Sequence, residues 1–178
     1  MNREANDQQL MQAVSRGDLD AFNEIVLRYQ GLGWKAAYQF LGDAMEAEDV
    51  VQETFLKILQ TAPRYRPTAS FCTYFYRILT HLCIDRIRKK RLISMENVPE
   101  MADSSPSPTE SLFAKERRDQ VRAALDTLPP KQKAAMILRH YQGLSYTEVA
   151  QILGVTSRAV EGLISRARAS LRVSLAHL

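Results

Sequence analysis

The segment from Gly143 to Leu171 constrains the fold of this chain more than any other stretch, because it holds the signals for both ends of one helix and the start of another. Ser145 followed three residues later by Glu148 is the pattern of a capping box, in which each side chain bonds a backbone N–H of the first helical turn. Gly154 stands where a left-handed residue ends that helix. Thr156 can cap the next helix, whose apolar residues recur at helical spacing. We therefore predict two helices joined by a tight turn.

The outer face of the second helix carries small and polar residues of a kind that a DNA major groove admits. These residues are Arg158, Glu161, Gly162, Ser165, Ala169 and Arg172, with Arg166 and Arg168 beside them. Taken alone, the face fits an ordinary solvated helix side equally well. The whole arrangement of a capped short helix, a glycine turn and a basic second helix favours a helix-turn-helix that docks on duplex DNA.

Composition and cysteine content narrow the class of protein. The 178 residues are 46% hydrophobic with a net charge of +4, which indicates a globular protein with room for one or two domains and suits an anionic partner. Cys72 and Cys83 lie eleven residues apart, which is neither a metal pair nor a disulfide framework, so we expect a reduced, cytosolic chain without a zinc site. The polar first residues and the lack of a long apolar run predict neither a signal peptide nor membrane insertion.

A short amphipathic helix is predicted to end near Gly17, and a second to begin around Asp18 to Asp20; their apolar residues are Leu10, Met11 and Val14 in the first and Phe22, Ile25, Val26 and Tyr29 in the second. The letters from Gly31 to Ala36 match a dinucleotide-binding fingerprint. That motif needs a preceding strand, whereas the residues here follow a helical pattern, so we reject a nucleotide site.

The segment Ala44 to Gln60 is the clearest helical pattern in the first half of the chain, and it has a second patterned face. Asp49, Gln52, Glu53 and Leu56 fall at i, i+3, i+4 and i+7, forming an acidic stripe with an exposed leucine. Such a stripe could dock on a basic partner helix. A solvated acidic face is the alternative, since charged residues near the first turn also suit the helix dipole.

A basic, aromatic loop and a long helix follow. Pro63 and Pro67 break the preceding helix around Arg64, Tyr65 and Arg66, and Ser70 can cap a new helix that we expect to run to about Arg91. Its outer face is expected to carry Thr73, Tyr74, Arg77, Thr80, His81 and Arg88. Rings that stack bases and cations that hold phosphates are the composition of a surface for single-stranded nucleic acid. Taken singly, Tyr74 could instead be a half-buried ring and His81 a surface histidine.

Residues 93–111 contain three prolines, five serines and scattered acids without apolar periodicity, which predicts a flexible linker. Helical patterns resume at Leu112, and Pro130 suits the first position of a helix that leads into the helix-turn-helix. The predicted fold is all-α, with two small helical domains over 1–92 and 112–178 joined by the linker.

Several of these segments together resemble the bacterial RNA polymerase sigma factors of the extracytoplasmic-function group, the type that has only sigma regions 2 and 4. The segment from Ala47 to Phe55 resembles that group's AED-hydrophobic-hydrophobic-QE-x-F motif. The helix from Ser70 to Arg88 resembles its promoter-melting helix. In the second half, Leu128 to Lys133 and Gly143 to Val155 match equally well. The resemblance covers nearly everything except the linker and the extreme termini.

This resemblance implies a factor that binds core RNA polymerase and directs promoter-specific initiation, in a stress or envelope response. Domain 1–92 would bind the clamp helices of the largest polymerase subunit through Asp49, Gln52, Glu53 and Leu56. It would also open and read the minus-ten element through Arg64, Tyr65, Arg66, Ser70, Thr73, Tyr74, Arg77, His81 and Arg88. Domain 112–178 would read the minus-thirty-five element through Thr156, Ser157, Arg158, Glu161, Gly162, Ser165, Arg166 and Arg168.

The resemblance implies further partners and two departures from the family pattern. The flap of the second-largest polymerase subunit and an anti-sigma factor are implied partners, and the anti-sigma factor would hold a cytoplasmic protein at the membrane. No cofactor or metal is expected, because polymerase performs the synthesis. The family usually has tryptophan where Tyr74 stands and often asparagine where His81 stands, so promoter melting is expected to differ in detail.

Two other classes of protein remain open at this level. A stand-alone helix-turn-helix regulator would bind DNA without polymerase, although it would normally carry a sensor or dimerisation domain that the sequence does not show. A sigma mimic that sequesters an inhibitor could dispense with basic residues on the second helix. Four arginines there argue against it: Arg158, Arg166, Arg168 and Arg172. An enzyme is disfavoured, because the chain has no phosphate-binding glycine loop, no paired histidine ligands and no nucleophile with a nearby base.

Overall fold

The chain forms two compact units, Met1–Asp85 and Arg86–Leu178, in a computed structural model that describes residues 3–96 and 112–176. Over those residues the backbone forms helices joined by turns, without a strand. The prediction of an all-α fold is confirmed.

The first unit is built from four helices and one short 3₁₀ turn. They are α1 (Arg3–Ser15), α2 (Leu19–Leu41), α3 (Ala44–Thr61), the 3₁₀ turn Ala62–Arg64, and α4 (Phe71–Glu96), which begins in this unit. Local signals set the helix ends. The Asp18 carboxylate accepts a hydrogen bond from the Ala21 N–H at 2.9 Å at the start of α2, and Asp43 caps α3 through the Glu46 N–H at 2.9 Å. Gly42, with φ of 76°, ends α2 in the left-handed conformation.

An aromatic cluster from three helices forms the core of this unit. The Tyr29 ring of α2 lies 4.9 Å from Phe71 and 5.1 Å from Phe75 of α4, and Phe75 lies 5.7 Å from Phe55 of α3. Helix α2 packs closely here because Gly33 has no side chain: a Cβ at this position would lie 2.8 Å from Cζ of Phe75. The fingerprint-like residues 31–36 therefore lie inside α2 and not after a strand, and Gly33 and Ala36 among them are buried in the core.

A buried charge fastens α1 to α2. Asp7 is 1% exposed, accepts a hydrogen bond from the Tyr29 hydroxyl at 2.6 Å and pairs with the Arg28 guanidinium at 2.9 Å. Arg28 also pairs with Glu24 at 2.7 Å. A buried carboxylate with two partners is stable, whereas removal of one partner would leave a charge without compensation.

The second unit contains the remaining helices. They are α5 (Leu112–Thr127), α6 (Pro130–Met136), a π-helical turn (Ile137–Tyr141), α7 (Tyr146–Leu153) and α8 (Ser157–Ser174). Leu125, Leu128 and Ala167 form one buried cluster, with Val121 and Leu171 packed against it. Pro130 takes the first helical position, as its sequence context predicts.

Helix α4 is longer than predicted. It ends at Glu96 and not near Arg91, so residues 93–96 of the predicted linker are helical. The physical reason is that the chain contains no glycine or proline between Arg91 and Pro99. Residues 97–111, the remainder of the predicted linker, lie outside the described residues.

Neither a membrane span nor a metal centre is found in the described parts of the chain. None of their helices combines the length and the apolar character that a bilayer crossing requires. Within the same residues, no three or more His, Cys, Asp or Glu side chains are grouped closely enough to hold a metal ion.

Candidate functional site

The outer face of α3 carries the four residues predicted to bind polymerase. Asp49, Gln52 and Leu56 are exposed, Leu56 with 57% of its surface, and Glu53 is half-buried. Glu53 pairs with Lys57 at 3.5 Å, and the Gln52 amide lies 3.5 Å from the Glu48 carboxylate. The opposite side of α3 is buried in the core. The four predicted residues therefore share one accessible helix face.

An apolar groove that sequence reasoning missed lies beside this acidic face. The groove, of about 380 Å³, runs between α2 and α3. Its walls are Val26, Gln30, Gly31 and Trp34 from α2 and Glu48, Val51, Gln52 and Phe55 from α3. Trp34 is 40% exposed and stacks on Tyr38 with ring centroids 5.1 Å apart. One sequence feature could have indicated this groove. Trp34 is the single tryptophan of the chain, and it lies on a helix whose apolar side is already formed by other residues.

The basic, aromatic loop is joined to the start of α4 through its rings. Arg64 and Arg66 are exposed, whereas Tyr65 is half-buried with its ring 5.1 Å from that of Tyr74. Burial raises the pKa of the Tyr65 phenol, and the neighbouring Tyr74 raises it further. Ser70 caps α4 by accepting the Thr73 N–H at 3.1 Å, as expected.

Tyr74 is half-buried and contacts groups on three sides. Its hydroxyl oxygen lies 2.6 Å from Oγ1 of Thr61, the last residue of α3. The Arg77 guanidinium lies over the ring, 5.6 Å from its centroid, and the Phe71 ring is 6.1 Å away. His81 and Arg88 are exposed further along α4, with Nδ1 of His81 2.6 Å from the Arg77 carbonyl.

The expectation that Thr73 and Thr80 share this outer face is wrong. Thr73 is 4% exposed, and its hydroxyl lies 2.9 Å from that of Ser70, while Thr80 is fully buried. The reason is that α4 is buried around more of its circumference than a surface helix. Besides the predicted core stripe, Thr73, Tyr76, Thr80, Cys83 and Ile84 are also enclosed. The exposed face is therefore narrower and consists of Arg77, His81, Asp85 and Arg88 beside the half-buried Tyr74.

The helix-turn-helix forms with the predicted caps. The Ser145 N–H donates to the Glu148 carboxylate at 2.8 Å, and the Glu148 N–H donates to the Ser145 hydroxyl at 3.2 Å, completing the capping box. Gly154 has φ of 64° and ends α7 in the left-handed conformation. Thr156 caps α8 by accepting the Ala159 N–H at 3.2 Å.

Helix α8 buries one stripe and presents the predicted DNA-binding residues on the opposite side. Val160, Ile164 and Ala167 are buried. Exposed residues are Thr156, Arg158, Glu161, Ser165, Arg166 and Arg168, whereas Ser157 and Gly162 are half-buried. The Arg166 side chain crosses Gly162 so closely that a Cβ there would lie 3.4 Å from the guanidinium. A polar groove of about 300 Å³ follows this face, lined by Tyr146, Glu161, Ile164, Ser165, Arg168, Ala169 and Arg172.

A π-helical turn brings His140 next to α8 and Arg139 next to α7. The Gln142 N–H donates to the Ile137 carbonyl at 3.1 Å, which closes the wider turn. His140 then lies with Nε2 3.2 Å from the Arg168 guanidinium, and Arg139 lies over the Tyr146 ring at 5.3 Å. Burial lowers the pKa of His140, and the charges of Arg168 and Arg139 lower it further. The sequence offered no signal for this contact, because π-helical turns have no residue pattern of their own.

Comparison with protein families and curated proteins agrees with this division. Residues 25–93 match Sigma-70 region 2, and residues 118–171 match Sigma-70, region 4. The chain is 34% identical over 162 residues to the ECF RNA polymerase sigma factor SigE of Mycolicibacterium smegmatis, covering 89% of this chain and 63% of that protein. It is 30% identical over 176 residues to the ECF RNA polymerase sigma factor SigW of Bacillus subtilis, covering 93% of this chain and 94% of SigW.

A solved structure has the same fold along almost the whole chain. CnrH, determined in complex with the cytosolic domain of CnrY, superimposes with a TM-score of 0.73 at 25% identity, covering 97% of this chain and 98% of CnrH. The two matched sigma regions coincide with the acidic and aromatic surfaces of the first unit and the helix-turn-helix of the second. By these matches, the chain belongs to the ECF sigma factors of bacterial RNA polymerase.

Proposed function

We propose that this sigma factor divides its work among three surfaces. As a member of its family it binds core RNA polymerase and directs initiation at specific promoters, and it is not itself an enzyme. The proposal assigns polymerase binding to the face of α3, strand capture to the aromatic start of α4, and upstream recognition to α8. The observation that carries it is the separation of charge: an exposed acidic helix face in the first unit and an exposed basic one on a capped helix-turn-helix in the second.

The face of α3 is the polymerase contact in this proposal. Asp49, Gln52 and Leu56 offer a charge, an amide and an apolar side chain on one accessible stripe. Opposite charges across an interface steer encounter and fix register, and a desolvated apolar residue adds affinity. The groove around Trp34 extends the apolar part of this surface. The partner is a helix of the polymerase clamp with basic residues.

Charge reversal tests this assignment. The double variant Asp49→Lys, Glu53→Lys should lose most binding to core polymerase in a pull-down, because repulsion replaces attraction at the interface. The matched control is Asp20→Lys, Asp85→Lys, which changes the net charge equally at exposed positions off this face. Both proteins should keep a helical circular dichroism spectrum. Equal binding of core polymerase by the two double variants would show that α3 is not the polymerase contact.

The second unit reads the upstream promoter element in this proposal. Arg158 and Ser165 lie on the outward side of α8, where a docked helix meets base edges, and Arg166 and Arg168 stand beside them near the phosphate backbone. The exposed arginines also weigh against a sigma mimic, which would not need them. The flap of the second-largest polymerase subunit is the proposed protein contact of this unit.

An anti-sigma factor is the proposed regulator, in a stress or envelope response. The support is the family itself and the CnrH structure, which was determined with the cytosolic domain of CnrY. A partner of that kind would hold this cytoplasmic chain at the membrane until a signal releases it. Fractionation of cells that carry a tagged chain tests the location, and an absence from the membrane fraction before and after induction would contradict it.

A further inference from the structure

The Thr61 hydroxyl contacts the Tyr74 hydroxyl, and the number of available protons decides which of the two donates the hydrogen bond. Its oxygen lies 2.6 Å from the Lys57 carbonyl, 3.4 Å from the Ile58 carbonyl and 2.6 Å from the Tyr74 hydroxyl. A threonine hydroxyl has one proton, and a carbonyl oxygen can only accept. Thr61 therefore donates to the backbone of its own helix. The Tyr74 hydroxyl donates in turn to Thr61.

This hydrogen bond fixes the outer end of the Tyr74 ring. The base of the side chain is held by α4, and the Tyr65 ring packs against it at 61°. With the phenol bonded to the last residue of α3, the ring cannot swing about its Cα–Cβ bond without breaking that bond, while the packed rings of Tyr65 and Phe71 limit its rotation about Cβ–Cγ. The Arg77 guanidinium over the ring belongs to an exposed side chain and can leave for a phosphate. Of the groups around the ring, Arg77 is the one an incoming base could displace.

We propose that Thr61 is a positioning residue for Tyr74 in promoter opening. In this role it makes no contact with DNA; it holds the outer end of the ring in one place before an unpaired base arrives, so that less freedom is lost when the base stacks. It also ties the ring to α3, the helix assigned to polymerase binding. This inference rests on the proposed role of Tyr74 in strand capture.

Open-complex lifetime on a linear promoter, measured after a heparin challenge, tests the inference. Thr61→Val keeps the shape of the side chain and removes the hydroxyl, and Tyr74→Phe keeps the ring and removes the donor. Each should shorten the lifetime by about fivefold, the effect expected of one hydrogen bond. The double variant should be no worse than Thr61→Val alone, since Thr61→Val already removes the bond between the two hydroxyls.

Three controls separate positioning from a general loss of structure. Thr61→Ser keeps the hydroxyl and should restore the lifetime. Closed-complex affinity should match that of the unaltered chain, and the thermal midpoint reported by Trp34 fluorescence should fall by only the few degrees expected of one hydrogen bond. On a template with a pre-melted bubble the variants should still lose the strand faster, because positioning acts on capture and not on melting.

The outcomes distinguish this inference from the role of Tyr74 itself. If Tyr74→Ala shortens the lifetime but Thr61→Val and Tyr74→Phe do not, the ring captures a base and Thr61 does not position it. If the effects of Thr61→Val and Tyr74→Phe add, the two hydroxyls act separately and the inference is overturned. If Tyr74→Ala also has no effect on permanganate reactivity or lifetime, the proposed strand capture by Tyr74 fails.

Discussion

The replacement of Gly33 by alanine should destabilise the first unit, although alanine is the better helix former. Gly33 lies within α2, and a Cβ there would stand 2.8 Å from Cζ of Phe75 and 3.3 Å from Cγ2 of Val51. Carbon atoms pack at about 3.5–4.0 Å, so one side must move. Phe75 is fully buried and enclosed by the rings of Tyr29, Phe55 and Tyr76. Overpacking of this kind costs about 1–3 kcal/mol.

Gly31 is the matched control in the same helix. A Cβ there meets nothing within 4 Å, and the residue is exposed. The gain in helix propensity from glycine to alanine is about 1 kcal/mol at either position. That gain cancels when the two variants are compared. The free energy of unfolding of Gly33→Ala should therefore lie below that of Gly31→Ala by the overpacking cost alone, about 1–3 kcal/mol.

Thermal unfolding followed by tryptophan fluorescence measures this difference in the first unit alone. The chain has one tryptophan, Trp34, which lies on α2 and lines the groove between α2 and α3. For a domain of this size, each kcal/mol shifts the midpoint by about 4–8 °C. Gly31→Ala should unfold at a higher temperature than the unaltered chain. Equal midpoints for the two variants would show that Phe75 yields to the added methyl group, and the packing argument would then be wrong.

Two further predictions concern the second unit. Arg158→Ala should cost about 1–3 kcal/mol of DNA-binding free energy and relax base preference at one position of the upstream element, whereas Arg168→Ala should weaken binding to all sequences alike and flatten its salt dependence. Anisotropy titrations on variant duplexes measure both effects. A uniform loss of affinity from Arg158→Ala would show that this residue contacts a phosphate instead. Because the pKa of His140 is lowered in the folded state, the unfolded chain takes up the proton first. Stability should therefore be full above the ordinary histidine pKa of about 6.5 and decline as the pH falls toward the lowered value. Thermal melts of the unaltered chain and His140→Gln across this range check the sign, and parallel pH profiles would contradict it.

The parts of the fold that the sequence predicts are those with local causes. The capping box of Ser145 and Glu148 and the left-handed Gly154 lie within ten residues of one another and depend on no distant contact. The acidic stripe of α3 follows from helical periodicity once the buried side is known. These features were predicted correctly because their causes can be read along a single turn or a single helix.

The features that the sequence did not predict depend on which helices meet. Thr73 and Thr80 were predicted to be exposed because α4 has one clear apolar stripe, which is all that a surface helix needs to bury. Only the packing of the unit shows that a second side of α4 is also buried. The bond between Thr61 and Tyr74 joins residues thirteen positions apart on two helices. Trp34 lines a groove whose opposite wall is formed by α3. Neither periodicity nor spacing contains that information.

The arrangement of charge explains why a net charge of +4 says little about this protein. In the proposed function, the first unit attracts a basic helix of polymerase through α3 and a phosphate backbone through Arg64, Arg66 and Arg77, which are opposite requirements. Interactions between exposed charges fall off over about 8–10 Å at physiological salt, so two faces of one small unit can carry opposite signs without cancelling. Thr61 stands at the end of α3, where the acidic helix gives way to the basic loop. A hydroxyl there connects the two surfaces without adding charge to either, and an ionic residue in its place would favour one partner at the expense of the other.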